Sequence, residues 1–135
     1  MNLSVGAILL YSVVGAAISI YLPFLVVGYA RARVGYDTAA PRALFEKLPD
    51  YGKRATWAHQ NSFEAFMVYA AAALMAYVTG VTDNLAIACA IAFVVARVLF
   101  SLFYITNIPI ARSLMFGIGT ACTGTLFALS LIHIQ

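Results

Sequence analysis

Four apolar stretches, each long enough to cross a membrane, make up most of the chain. The hydrocarbon core of a bilayer is about 30 Å thick, and a helix needs about 20 apolar residues to cross it. The sequence predicts spans over residues 3–29, 55–78, 85–106 and 110–132. Only 10% of the 135 residues are charged, against about 25% in a typical soluble domain. We therefore predict a single all-α domain, residues 1–135, in which four transmembrane helices form an antiparallel bundle.

Positive charge is concentrated between the first two predicted spans. Six of the eight Lys and Arg residues lie in the segment 31–54, and Arg112 follows the third span on the same side. Because Lys and Arg favour the cytoplasmic side, we expect this loop to be cytoplasmic and both termini to lie on the opposite side, in a bacterial inner membrane or an organelle membrane. The cations flank the spans and form no exposed basic stripe, so we expect no nucleic-acid partner.

The second predicted span begins with polar residues that are costly to place in a bilayer. His59, Gln60, Asn61 and Glu64 all fall within it. Polar groups inside a membrane span usually face a protein interior or a water-filled cavity, and they often mark a functional site. Asn61 and Glu64 are three residues apart and share a helix face, and Arg54 precedes Asn61 on that face by about two turns.

Further polar residues occur at the same end of the other spans. Arg97 and Tyr104 share one face of the third span, Arg112 and Ser113 open the fourth, and Arg31 closes the first. Glu64 and Arg97 both lie roughly 13 Å from the cytoplasmic edge, at 1.5 Å per residue. Two interpretations remain open, namely a buried Glu64–Arg97 ion pair that fixes helix register, or a polar pocket open to the cytoplasmic side.

The balance of charges favours a pocket for an anionic ligand. Four arginines lie within the predicted spans or next to them, against a single carboxylate within the spans, Glu64; the arginines are Arg31, Arg54, Arg97 and Arg112. Arginine binds carboxylates through two parallel hydrogen bonds, whereas Glu64 is suited to an ammonium group. A small molecule with two carboxylates and one amine fits this pattern. Cys89 and Cys122 lie in apolar stretches, where we expect buried thiols, and no Cys/His spacing indicates a metal site.

These motifs resemble the MAPEG family, the membrane-associated proteins of eicosanoid and glutathione metabolism. A basic residue, Arg54, precedes the stretch His59-Gln60-Asn61-Ser62-Phe63-Glu64, and Arg97 with Tyr104 precedes the pair Arg112-Ser113. The resemblance covers nearly the whole chain. It implies a homotrimer of four-helix subunits that binds glutathione at each subunit interface near the cytoplasmic face. Gln60 stands where some members carry arginine, and Phe100 where some carry a polar or tyrosine side chain.

The resemblance also implies a role for each matching residue. Asn61 and Glu64 would hold the polar groups of glutathione, with Glu64 at its amine. Arg112 would lie beside the sulfur, with Tyr104 and Ser113 as hydroxyl groups that assist the chemistry. Arg97 would be either a ligand group or the partner of Glu64. The full set of expected glutathione-binding residues is Arg31, Arg54, His59, Gln60, Asn61, Glu64, Arg97 and Tyr104.

The function implied is that of a glutathione-dependent transferase or peroxidase acting on lipophilic electrophiles or hydroperoxides. A cation near the sulfur lowers the pKa of a thiol from about 8.5 and so favours the reactive thiolate. Two alternatives remain: a non-catalytic protein of the same fold that binds lipid or glutathione, and an accessory subunit of a larger membrane complex. Phe100, which has no hydroxyl, favours the first of them.

Overall fold

The computed structural model describes residues 3–134, and every regular element in that range is helical. Four long helices run over Val5–Arg33 (α1), Asp50–Val78 (α2), Asn84–Ile105 (α3) and Pro109–His133 (α4), and a short 3-10 helix covers Pro41–Lys47. All four long helices are long and apolar enough to cross a membrane. The predicted all-α membrane class with four spans is confirmed.

The helix boundaries follow local capping and proline signals. Ser4 caps α1 by accepting a hydrogen bond from Ala7 N at 3.2 Å. Pro49 precedes α2, which begins at Asp50, five residues before the predicted start of the span. Hydropathy placed this start too late, because it measures lipid solubility, whereas an acidic first turn after a proline favours helix formation. Pro109 opens α4, in the position where its missing N–H is tolerated.

Helices that are consecutive in the chain run antiparallel, and α2 and α3 each pack against the other three long helices. Gly52 and Gly6 mark the two ends of the α1–α2 contact. A Cβ added to Gly52 would lie 2.8 Å from the Cβ of Ala30, and one added to Gly6 would lie 3.1 Å from the Tyr77 ring. Small residues therefore bring these two helices together.

The half of the bundle nearer the α2–α3 turn is tightly packed. The rings of Tyr69 and Phe93 stack with centroids 3.6 Å apart, and Tyr69 is fully buried. Its hydroxyl donates to Ser12 Oγ at 2.6 Å, and Ser12 in turn donates to Leu9 O. Cys89 and Cys122 are buried free thiols here, as predicted. We call this region the packed half and define it by its buried residues: Leu9, Ser12, Tyr69, Ala72, Ala73, Ala76, Ala86, Cys89, Phe93, Cys122 and Leu126.

Candidate functional site

A hydrogen-bonded cluster joins α2 and α3 in the other half of the bundle. Arg97, only 3% exposed, donates from Nη2 to Asn61 Oδ1 at 3.0 Å and to Ser62 Oγ at 3.1 Å. Ser62 also lies 3.4 Å from the hydroxyl of Ser101. The Arg97 guanidinium stacks on Phe100, with its Cζ 4.1 Å from the ring centroid. We call Asn61, Ser62, Arg97 and Ser101 the polar cluster.

The ion pair between Glu64 and Arg97, one of the two interpretations that the sequence left open, is not formed among the described residues, and that interpretation is wrong. Equal depth along two helices does not fix rotation about their axes. At about 100° per residue, Asn61 lies between Ser62 and Glu64 around α2. Arg97 approaches the side of Asn61 and Ser62, so Glu64 forms no ion pair with it and remains exposed. Glu64 instead accepts a hydrogen bond from Gln60 at 3.4 Å.

A cavity of about 430 Å³ lies between α2, α3 and α4 and brings three of the expected residues together. Asn61, Glu64 and Arg97 line its polar side, and the buried Nε of Arg97 has no hydrogen-bond acceptor among residues 3–134. The rest of the wall is mostly apolar or hydroxyl-bearing. It is made by Ala65, Val68, Phe93, Phe116, Gly119, Thr120, Thr123, Gly124 and Phe127.

A second, wider cavity of about 810 Å³ lies on the other side of α2, against α1 and the 3-10 helix. Arg31, His59 and Gln60 line it, and Glu64 borders both cavities. The Nε of Arg31 is buried and has no acceptor in the described chain. Six of the eight expected glutathione-binding residues therefore fall into two groups that share only Glu64, and the other two, Arg54 and Tyr104, line neither of these cavities.

His59 also joins α2 to α1. Its Nδ1 lies 2.9 Å from Ile20 O, and its ring packs against Phe24 with centroids 5.0 Å apart. Ile20 precedes Pro23 by three residues, in the stretch where the proline removes a backbone donor. His59 thus supplies a polar contact to a weakened part of the α1 backbone and at the same time faces the second cavity.

Tyr104 and Arg112 meet where α3 ends and α4 begins. The Arg112 Cζ lies 4.7 Å from the centroid of the Tyr104 ring, an arrangement typical of a cation–π contact. The Tyr104 ring contacts Phe100 edge-on, and Phe100 contacts Phe116, which lines the smaller cavity. Ser113 follows Arg112 and is exposed. Neither Tyr104, Arg112 nor Ser113 lines either cavity in the described chain.

Arg54, expected to line the ligand site, makes a different contact. Its Nε donates to Ile105 O, at the last residue of α3, at 2.9 Å.

Sequence reasoning also missed Ser62 as a member of the site, although a serine beside Asn61 in a membrane helix is a signal of polar packing. Thr120 and Thr123 on α4 were missed because hydroxyl groups in an apolar helix usually bond back to their own backbone, as both do here.

These observations together define a class of protein. The molecule is a four-helix integral membrane protein with a polar cluster between α2 and α3 and two cavities on opposite sides of α2. The model of the MAPEG family matches residues 8–132, nearly the whole chain, and the chain therefore belongs to that family. The family includes glutathione-dependent enzymes and non-catalytic members. No curated protein and no solved structure gives a significant match to the sequence.

Proposed function

We propose that this protein binds glutathione and uses its thiolate to attack lipophilic electrophiles or hydroperoxides. The observation that carries the proposal is the smaller cavity, where a buried arginine and a carboxylate face one space. Arg97 has no carboxylate partner in the described chain, and a buried cation without a partner favours an anionic ligand. Glu64 supplies the opposite charge on the same wall. Glutathione carries two carboxylates and one amine, which match these groups.

A trimer accounts for the division of the expected residues between two cavities. Arg31, His59 and Gln60 lie on one side of α2, whereas Asn61 and Arg97 lie on the other. In a ring of identical subunits, the first side of one subunit meets the second side of its neighbour, because such interfaces are heterologous. Each glutathione would then contact both groups of residues. The family resemblance supports three subunits and a site that opens to the cytoplasm.

The Tyr104–Arg112 pair is the proposed activating group. Lowering the pKa of a thiol by about two units requires roughly 2.7 kcal/mol of preferential stabilisation of the thiolate. A guanidinium held at one place beside a partly dehydrated sulfur is sufficient for this. With Arg112 fixed on the Tyr104 ring, the cation is positioned before the ligand arrives. Ser113 is the second hydroxyl available to the sulfur.

The chemistry then follows from the thiolate. With an electrophilic carbon, sulfur forms a thioether bond and the displaced electron pair takes up a proton. With a hydroperoxide, sulfur attacks the terminal oxygen, the O–O bond breaks, and the alcohol leaves after protonation. A second glutathione then reduces the sulfenic acid, giving a disulfide and water. The apolar wall formed by residues such as Phe93 and Phe127 suits a substrate dissolved in the bilayer.

Calorimetry on detergent-purified protein tests the proposal, with ultraviolet thiolate absorbance recorded in parallel. We expect glutathione to bind with a thiolate signal, and the analogue with a hydroxyl in place of the thiol to bind without one. Glu64→Gln should weaken binding about tenfold, since it removes one charge-assisted hydrogen bond. Glu46→Gln is the matched control, because the Glu46 side chain is 84% exposed and pairs only with Lys53. Absence of binding in a folded sample would contradict the proposal.

A non-catalytic ligand-binding protein is the second candidate, and one observation favours it. The Phe100 ring contacts the Tyr104 ring edge-on and stacks against the Arg97 guanidinium. It provides no hydroxyl for the chemistry. Binding of glutathione without any thiolate absorbance would support this candidate.

A further inference from the structure

The C-terminal end of α3 leaves one backbone carbonyl without a backbone partner. Ile105 is the last residue of α3, so its carbonyl has no donor within the helix, and residue 109, four positions on, is a proline without an N–H. The preceding carbonyls are occupied: Leu102 O accepts from Thr106 N, Phe103 O from Ile108 N, and Tyr104 O from Asn107 N. A carbonyl without a partner in a membrane protein is costly.

Arg54, on α2, supplies the hydrogen-bond donor that this carbonyl lacks. Its Nε–H donates to Ile105 O at 2.9 Å, and its positive charge lies at the negative end of the α3 dipole, where cations are stabilising. The side chain is half-buried and lines neither of the two described cavities. The geometry therefore directs Arg54 toward the end of α3.

The end of α3 controls where the activating pair lies. Tyr104 immediately precedes Ile105, and only three residues separate α3 from α4. Asn107 adopts a left-handed conformation (φ 61°) within this turn, and α4 starts with the bond from Arg112 N to Ile108 O. A turn this short transmits a displacement of Ile105 directly to Tyr104 on one side and Arg112 on the other.

We propose that Arg54 is a positioning residue, whose bond to Ile105 O holds the Tyr104–Arg112 pair in place. The proposal rests on the proposed function in assigning that pair to the glutathione sulfur. In this proposal Arg54 acts through the Tyr104–Arg112 pair and does not contact the ligand. Displacement of a catalytic group by about 1 Å is enough to lower turnover by up to about a hundredfold.

The test compares Arg54→Gln and Arg54→Lys with Arg33→Gln, an exposed arginine at the end of α1. Amide hydrogen exchange over residues 103–113 should become about tenfold faster in Arg54→Gln, because a charge-assisted hydrogen bond to the turn is lost. Arg54→Lys should restore part of the protection by keeping the charge, and Arg33→Gln should leave exchange unchanged. Unchanged exchange in Arg54→Gln would overturn the proposal.

Measurements with glutathione then distinguish a positioning role of Arg54 from a binding role. In Arg54→Gln we expect the bound thiolate signal to fall and kcat to fall about tenfold, with Kd within about twofold of the wild type. A tenfold rise in Kd with thiolate signal and kcat unchanged would make Arg54 a ligand group and overturn the proposal. If the wild type binds no glutathione, the proposed function fails, and hydrogen exchange alone still decides whether Arg54 holds the pair.

Discussion

The two halves of the helix bundle are built by opposite means. In the packed half, small residues such as Ala72 and Ala73 are completely buried, and the stacked rings of Tyr69 and Phe93 fill the centre. In the half that holds the polar cluster, a few hydrogen bonds from Arg97 join α2 to α3 beside a cavity of about 430 Å³. The cavity reaches the packed half only at Phe93 among the buried residues that define it, so we infer that stability resides mainly in the packed half and ligand binding in the half with the polar cluster.

The largest effect on stability is expected at Tyr69. Tyr69→Ala removes a fully buried ring from the centre of the packed half, which should lower the free energy of unfolding by about 3–5 kcal/mol. Tyr69→Phe keeps the ring and loses only the bond to Ser12, a cost of about 1 kcal/mol. Thermal unfolding in detergent measures both. Similar losses in the two variants would show that the hydroxyl, and not the ring, stabilises this half.

A substitution at Arg112 should lower turnover and leave stability nearly unchanged, the opposite of the effect expected at Tyr69. Arg112→Ala removes the cation stacked on Tyr104 and should lower turnover by about a hundredfold, or roughly 2.7 kcal/mol of transition-state stabilisation. Glutathione affinity and unfolding temperature should change little. Steady-state kinetics beside calorimetric titration provide the comparison, and equal losses in turnover and affinity would assign Arg112 to binding.

A substitution at Gly52 tests whether α1 and α2 need their close approach near Ala30. Gly52→Ala places a Cβ 2.8 Å from that of Ala30, and the overpacking should cost about 1–3 kcal/mol. Gly28→Ala is the matched control, because its added Cβ meets nothing within 4 Å. A loss of stability in the control as large as in Gly52→Ala would show that helix flexibility, and not close packing, requires these glycines.

The smallest effect is expected at the far end of the packed half. His133 Nε2 lies 3.7 Å from Asp83 Oδ2, and both side chains are partly exposed. Exposed ion pairs contribute about 0–1 kcal/mol, so Asp83→Asn should barely change the unfolding temperature. A fall as large as that of Tyr69→Phe would mean that the end of α4 and the start of α3 depend on this contact.

The sequence was sufficient to predict the spans and the residues that gather at one end, because hydropathy and helical spacing are local properties. It could not predict how each helix is rotated about its axis, and for this reason the Glu64–Arg97 ion pair was wrong. The contact between Arg54 and Ile105 O was likewise not predictable, because the last carbonyls of every helix lack helical donors and the sequence does not show which side chain reaches them. Tyr69 appeared as one of many apolar positions, since stacking on Phe93 depends on the packing of two helices.

The most direct test of the division between the two halves is one variant measured in two ways. Arg97→Met replaces a buried cation that has no carboxylate partner in the described chain by an apolar side chain of similar length. Removing an unpaired buried charge relieves its desolvation cost, which offsets the loss of the two hydrogen bonds to Asn61 and Ser62. We predict that the unfolding temperature stays within a few degrees of the wild-type value, while glutathione affinity falls at least about tenfold, because a charge-assisted hydrogen bond to the ligand is lost. A large fall in unfolding temperature with unchanged affinity would contradict the account and reduce the polar cluster to a structural contact between α2 and α3.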